Sequence, residues 1–276
     1  MMKIFKDRIF KFLVIFLSFL TLTPLFFIFY IILKNGLSSI NLKFFFSLPK
    51  PPGEIGGGIL NAIAGTFLLL FFASLISIPI GIFFGMFLYE FKEKKIGKIC
   101  NILIDVLQSI PSIVIGIIAY LWIVKKMGHF SAIAGSVALS LIFLPIIAKA
   151  TKETFEMIPF SMIETSLSLG SSYPRTIFKV ILPISINGIL SGVLVGLGRI
   201  SGETAPLLFT AFGNSFLNFN ICKPVSSLSL LIFTYTMSPY EDWHRQAWGC
   251  AFVLIILILI LNSISKVGLK KWKVKF

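Results

Sequence analysis

Two charges, Arg199 and Glu203, follow an apolar run, 180–198, that carries none. A charged side chain near a bilayer centre costs ~2.5–3.5 kcal/mol even on lenient insertion scales, so such residues belong in a bundle interior or on a polar route rather than against lipid. The chemistry open to them is anion handling. A guanidinium is a planar, permanently charged fork that matches the oxygens of a carboxylate or phosphate, where a lysine acts as a point charge. Gly188, Gly192 and Gly196 precede the pair at four-residue steps. With Gly188 at zero and about 100° per residue, Gly192, Gly196, Arg199 and Glu203 fall near 40°, 80°, 20° and 60°, so both charges share the glycine face if the helix continues that far. That face is expected to be a packing seam. The pair also has a plainer use, an i,i+4 ion pair, although an arginine ahead of its acid is the less favourable order.

Enzymatic chemistry finds no footing. The chain has no glycine-rich phosphate loop ending in Gly-Lys-Ser/Thr, so any ATP chemistry must come from elsewhere. Its two histidines, His129 and His244, form neither an HExxH site nor a triad with a local signature. Cys100, Cys222 and Cys250 are too scattered for a metal motif or a disulfide framework and are expected to be packing residues. We expect no catalytic residue, no metal and no cofactor in this chain.

The elements that position these residues are membrane helices. Of 276 residues, 57% are hydrophobic and 13% charged, and 30 are phenylalanine. The mean hydropathy is +0.96, outside the range of soluble domains. Uncharged runs at 12–33, 55–89, 106–124, 127–148, 180–198 and 246–265 approach or exceed the ~20 residues a spanning helix needs, which predicts an all-α integral membrane protein with six transmembrane helices. Two more runs, 204–222 and 224–240, are broken by Gly213, Asn214, Asn218, Asn220, Pro224 and Pro239 and are expected to be loop with re-entrant or interfacial pieces. With the N-terminus inside, 17 of the 25 Lys and Arg lie on the cytoplasmic side and 7 outside, the positive-inside pattern. Both termini are then cytoplasmic. The net charge of +14 belongs to loops beside anionic lipid headgroups, not to a nucleic-acid surface. The first run is longer than a signal-peptide core and lacks a small-x-small cleavage site, so we expect a retained anchor. Trp243, His244 and Trp248, at the outer end of the last run, suggest an interfacial aromatic belt.

One loop is too apolar to be a linker. Between the fourth and fifth runs, 153–183 places Pro159 where a helix could start, Met162, Ile163, Leu167 and Leu169 in an apolar stripe, and Gly170 where a left-handed residue could end it. A short amphipathic helix fits, and periodicity alone would let it lie flat on the membrane. Glu164-Thr165-Ser166, Gly170 and the closing Leu182-Pro183 resemble the EAA loop of type I ABC importer permeases, with Thr165 and Ser166 where that family usually has alanines. The resemblance implies a coupling helix that docks on a separate ATP-binding subunit and transmits its closure to the membrane helices.

Further segments narrow the likeness. GLSSINLKFFFSLP (36–49), GGGILNAIAGTFLL (56–69), DVLQSIPSIVIG (105–116), GRISGETAPLLFTA (198–211) and SPYEDWHRQAW (238–248) resemble the A-type permease subunits of phosphate-specific transport systems. The resemblance implies a bacterial inner-membrane protein that passes inorganic phosphate inward. It also implies a second homologous permease subunit, two ATP-binding subunits that hold the ATP and magnesium, and an extracytoplasmic phosphate-binding protein. Residues 1–58 would supply the first helix and an outer segment, 59–265 the transport core, and 266–276 a basic tail. A sulfate or molybdate permease shares the loop but not the last two motifs; a channel or secondary carrier would need no ATPase partner.

Overall fold

The computed structural model describes residues 2–271, and its described residues hold helices, turns and a single isolated bridge between Phe212 and Val225. The basic tail extends past them, so its last five residues lie outside the described part. We number the helices α1 (Met2–Ser39), α2 (Leu60–Glu90), α3 (Lys95–Ser109), α4 (Ser112–Met127), α5 (Ala132–Glu156), α6 (Phe160–Ser168), α7 (Tyr173–Ser201), α8 (Leu228–Thr236) and α9 (Glu241–Lys271). Five are long and apolar enough to cross a membrane, and α3 with α4 makes a sixth if the bent pair is one span.

The centre is α2 against α5, with α7 laid along α5 and α9 closing against α7. Apolar side chains alone do not drive helices together in lipid, where close backbone approach and interhelical hydrogen bonds matter more. Both are present. A Cβ on Gly85 would stand 2.5 Å from the carbonyl of Ala148, and Ser77 Oγ donates to the Ser140 carbonyl at 3.0 Å. Around this contact Leu69, Ala73, Phe143, Ile147, Phe155 and Ile189 form the main core.

The third span differs from expectation. Rather than one helix over 106–124, the chain makes α3, breaks at Ile110-Pro111, and turns by 97° into α4. Proline disfavours helical geometry in the residue before it, and Ile110 sits at φ −65°, ψ 129°. The consequence is an amphipathic α3 whose Ile104 packs with Leu88 and Ala148 while Ile96, Ile99, Leu103 and Val106 remain exposed.

Neither run between 204 and 240 spans. Ala205–Leu208 is one helical turn and α8 has 9 residues, about 14 Å against the ~30 Å of a hydrocarbon core. The irregular chain between them completes α5. Its carbonyls at Thr210, Lys223 and Ile221 accept from the backbone N–H groups of Ser131, Ala132 and Ile133 at 3.0, 3.0 and 2.9 Å. A helix start cannot satisfy these donors by itself. Cys222, on this stretch, is exposed and does not pack, unlike buried Cys250. Trp243 also departs from the belt: its ring stacks on Tyr235 at 4.5 Å and joins the cluster of Phe44, Ile59, Leu228 and Cys250. Its indole has an apolar partner there that lipid headgroups would not provide.

Candidate functional site

Pro159 sits just ahead of α6 at φ −58° and ψ 131°, where its missing N–H costs nothing. The helix ends in two crossed hydrogen bonds: Gly170 N–H to the Leu167 carbonyl at 2.9 Å and Ser171 N–H to the Ser166 carbonyl at 3.2 Å. Gly170 itself is at φ +83°, the left-handed position of a Schellman cap.

One face of α6 is fixed. Ile163 is buried in the same core as Phe155 and Ile181, and the hydroxyls of Ser166 and Thr176 share a hydrogen bond at 2.9 Å. Tyr173, where α7 starts, donates its phenol hydrogen to the Glu90 carboxylate. The other face is open: Phe160, Glu164, Thr165 and Leu169 are all exposed. The short helix is thus tied to α5 and α7 on one side and bare on the other.

The segment 153–183 is shorter as a loop than expected. Residues 153–156 complete α5, and α7 begins at Tyr173, so Leu182 and Pro183 lie inside a helix and not in the loop. Pro183 is tolerated because the turn before it is widened. The N–H of Leu182 reaches five residues back to the Ile177 carbonyl, the π-helical adjustment that accommodates a residue without a donor.

Along α7 the glycines meet α5 at close range. An added Cβ would fall 2.4 Å from Thr154 Cγ2 at Gly188, 2.3 Å from Ala150 Cβ at Gly192 and 2.4 Å from Phe143 Cε2 at Gly196. Beside this seam runs a groove of about 540 Å³ whose lining includes Gln108, Lys149, Glu153 and Arg199. Arg199 is exposed in the last turn of α7.

Glu203 is not with it. The helix stops at Ser201, Glu203 N–H bonds the Ile200 carbonyl at 3.2 Å, and among the described residues no Arg199–Glu203 ion pair forms. The helical angles computed for Glu203 therefore do not apply, because Gly202 ends the helix first. Glu203 is half-buried, outside the groove, and its carbonyl accepts from Ser229 Oγ at 2.9 Å.

Sequence reasoning missed the other charges of the groove. Lys149 pairs with Asp105 across the α5–α3 contact. Lys152 Nζ donates to Asn101 Oδ1 at 2.9 Å, and Asn101 Nδ2 to Asp105 Oδ2 at 3.3 Å. A signal existed: Asp105 and Lys149 end the uncharged runs 106–124 and 127–148 on facing sides, a placement that invites pairing as well as loop solvation.

At the opposite end of the bundle, Lys50, Asn61, Phe212, Asn214, Tyr235 and Trp243 border a second cavity of about 540 Å³. The Oδ1 of Asn61, the Tyr235 hydroxyl and the Trp243 Nε1 are buried there without a partner among the described residues. Burial pushes the Tyr235 phenol above its ordinary range, so it remains a hydrogen-bond donor.

Known proteins resemble this chain in sequence and fold. The family described as the binding-protein-dependent transport system inner membrane component matches residues 77–270. The chain is similar to the phosphate transport system permease protein PstA of Yersinia pestis, 38% identical over 87% of this chain and 81% of that one. It is similar at 38% identity to the probable phosphate transport system permease protein PstA of Methanocaldococcus jannaschii, over 97% of this chain and 95% of that one. In fold it is similar to a chain of the MetNI methionine ABC transporter in an inward-facing conformation, with a TM-score of 0.62 and 20% identity over 78% of this chain and 94% of that one. The helices, the groove and these likenesses point one way, and the chain belongs to the binding-protein-dependent transport inner-membrane component family, as a multi-pass permease subunit of an ABC importer.

Proposed function

We propose that this subunit carries inorganic phosphate into the cell as one of two homologous membrane halves. The observation that carries the substrate is the likeness to phosphate permeases along nearly the whole chain, together with a groove whose lining includes the cations Arg199 and Lys149. ATP and magnesium belong to a pair of ATP-binding subunits docked on the bare face of α6, and an extracytoplasmic phosphate-binding protein delivers the anion at the opposite end. The excess of Lys and Arg at the α6 end supports a cytoplasmic position for that end and for both termini. Residues 1–58 then act as anchor and outer strap, and 59–265 as the transport core.

Coupling follows from the connections of α6. Glu164, Thr165 and Ser166, with Gly170 holding the cap, present the docking surface. Ile163 and the Ser166–Thr176 bond carry its displacement into the first turns of α7. Leu182 and Pro183 then sit where the widened turn lets α7 flex against α5 along Gly188, Gly192 and Gly196. Arg199 offers its fork to phosphate at the outer end of the groove. Glu203 reaches Arg199 only if α7 extends through Gly202, which would make it a restraint used in another conformation.

Labelled-phosphate uptake at micromolar concentration, in cells lacking this protein and complemented at equal membrane levels, tests the reading. Wild type restores uptake. Arg199→Gln loses about tenfold or more, since a hydrogen bond to a charged group is worth ~1.5–3 kcal/mol. Restored uptake of sulfate or molybdate without phosphate overturns the substrate.

A further inference from the structure

We propose that Lys149 forms a second oxyanion-binding position in the groove, and that Asp105 occupies it between passages. The proposal rests on the phosphate reading for the identity of the anion. Lys149 lines the same groove as Arg199. Its neighbour Ala150 lies against Gly192, and Arg199 is seven residues further along α7, so the two cations stand about 10 Å apart along the helix axis. An anion leaving Arg199 toward the α6 end meets Lys149 next.

The pairing of Lys149 suits exchange. The lysine side chain is 31% exposed and Asp105 48%, and ion pairs this open to solvent are held weakly. A phosphate dianion, with more charge and more acceptor oxygens than a carboxylate, displaces Asp105 as it arrives, and the carboxylate displaces it in turn. Lysine fits that duty because its ammonium is a compact charge on a flexible stem, without the bidentate grip of Arg199. Asp105 is held in place by Asn101 Nδ2, while Asn101 Oδ1 is taken by Lys152. The other polar residues of the lining are Gln108 on α3, Glu153 and Thr154 on α5, and Ser191 on α7 beside Arg199. Glu153 lies one turn beyond Lys149 and repels an anion that overstays. Asp105 rides on α3, which joins α4 through a 97° break, so any tilt of α3 opens or closes the pair.

The complete transporter, with both permease subunits, the ATP-binding pair and the binding protein, is reconstituted in proteoliposomes, and phosphate moved per ATP hydrolysed is measured. Lys149→Gln is expected to lower that ratio about tenfold, the scale of losing one charge-assisted contact, and Lys149→Arg to stay within about twofold. Asp105→Asn lets phosphate linger, so the half-saturating concentration and the maximal rate fall together. The exchange Lys149→Asp with Asp105→Lys restores an ion pair but leaves a carboxylate on the route, and is expected to remain defective. Wild-type transport by the exchanged pair, or by Lys149→Gln, overturns the proposal and shows a structural brace only. If Lys149→Gln fails to assemble, the kinetic split in Asp105→Asn decides: unchanged half-saturation overturns it. Wild type that moves another oxyanion instead of phosphate, with the same loss on Lys149→Gln, refutes the phosphate reading and supports this one.

Discussion

Replacing Gly170 with alanine isolates the backbone from the side chain. A Cβ at this position finds no atom within 4 Å, so no clash enters the cost. What remains is φ +83°, a conformation that disfavours a residue with a Cβ by about 1–2 kcal/mol. The strain is relieved only if the cap opens, which frees the carbonyls of Ser166 and Leu167 and unwinds the end of α6. A docking surface that must be rebuilt on binding loses affinity by the same free energy, about 5- to 30-fold. Affinity of the ATP-binding subunit for the purified permease pair, read by titration, checks this directly, and phosphate transport checks its consequence. Asparagine tolerates left-handed geometry better than other residues with a Cβ. The expected order is therefore Gly170, then Asn, then Ala, then Val. If asparagine proves worse than alanine, side-chain size and not backbone conformation governs the site, and the reasoning fails.

Three further outcomes are expected. Gly192→Ala drives a methyl to 2.3 Å from Ala150 Cβ and destabilises the α5–α7 contact by ~1–3 kcal/mol; thermal unfolding in detergent shows the loss, and adding Ala150→Gly recovers it. Thr66→Val removes the buried hydroxyl that accepts from Leu228 N–H at 2.9 Å, and the stranded N–H costs ~1–3 kcal/mol; Thr66→Ser restores the melting temperature if the hydrogen bond is the cause. Tyr173→Phe breaks the tie to Glu90, lowering transport per ATP while leaving ATP hydrolysis unchanged; equal losses of both would mean that α6 is not coupled through α7.

Much of the bundle was legible because lipid imposes one rule, long apolar helices, and the runs at 55–89 and 180–198 obey it openly. The α6 helix was legible for a different reason: Pro159 and Gly170 mark its two ends by chemistry that few other residues can supply. The boundaries failed where a proline permits two outcomes. Pro183 reads as a helix start, yet a widened turn absorbs it within α7. Pro111 reads as one residue of a span, yet it divides that span. Glu203 was misplaced because Gly202, one residue earlier, ends the helix on which its angle was counted. Asp105 and Lys149 went unseen because a charge at the edge of an apolar run looks like a loop charge until the partner helix is placed beside it.

The first helix touches the rest of the protein mainly through the last. The spanning window of α1 is not buried at all, and its close contact is with α9, where Gly36 meets Phe252 and Gly249 meets Ser39. During synthesis α1 must therefore wait in the bilayer, unaccompanied, while some two hundred residues are translated before its partner leaves the ribosome. Its stability in that interval comes from lipid alone, which suits the stretch 12–33, free of charge and almost wholly apolar. A truncation that removes α9 would leave α1 inserted but undocked, a membrane-embedded orphan exposed to quality-control proteases even though its own sequence is intact.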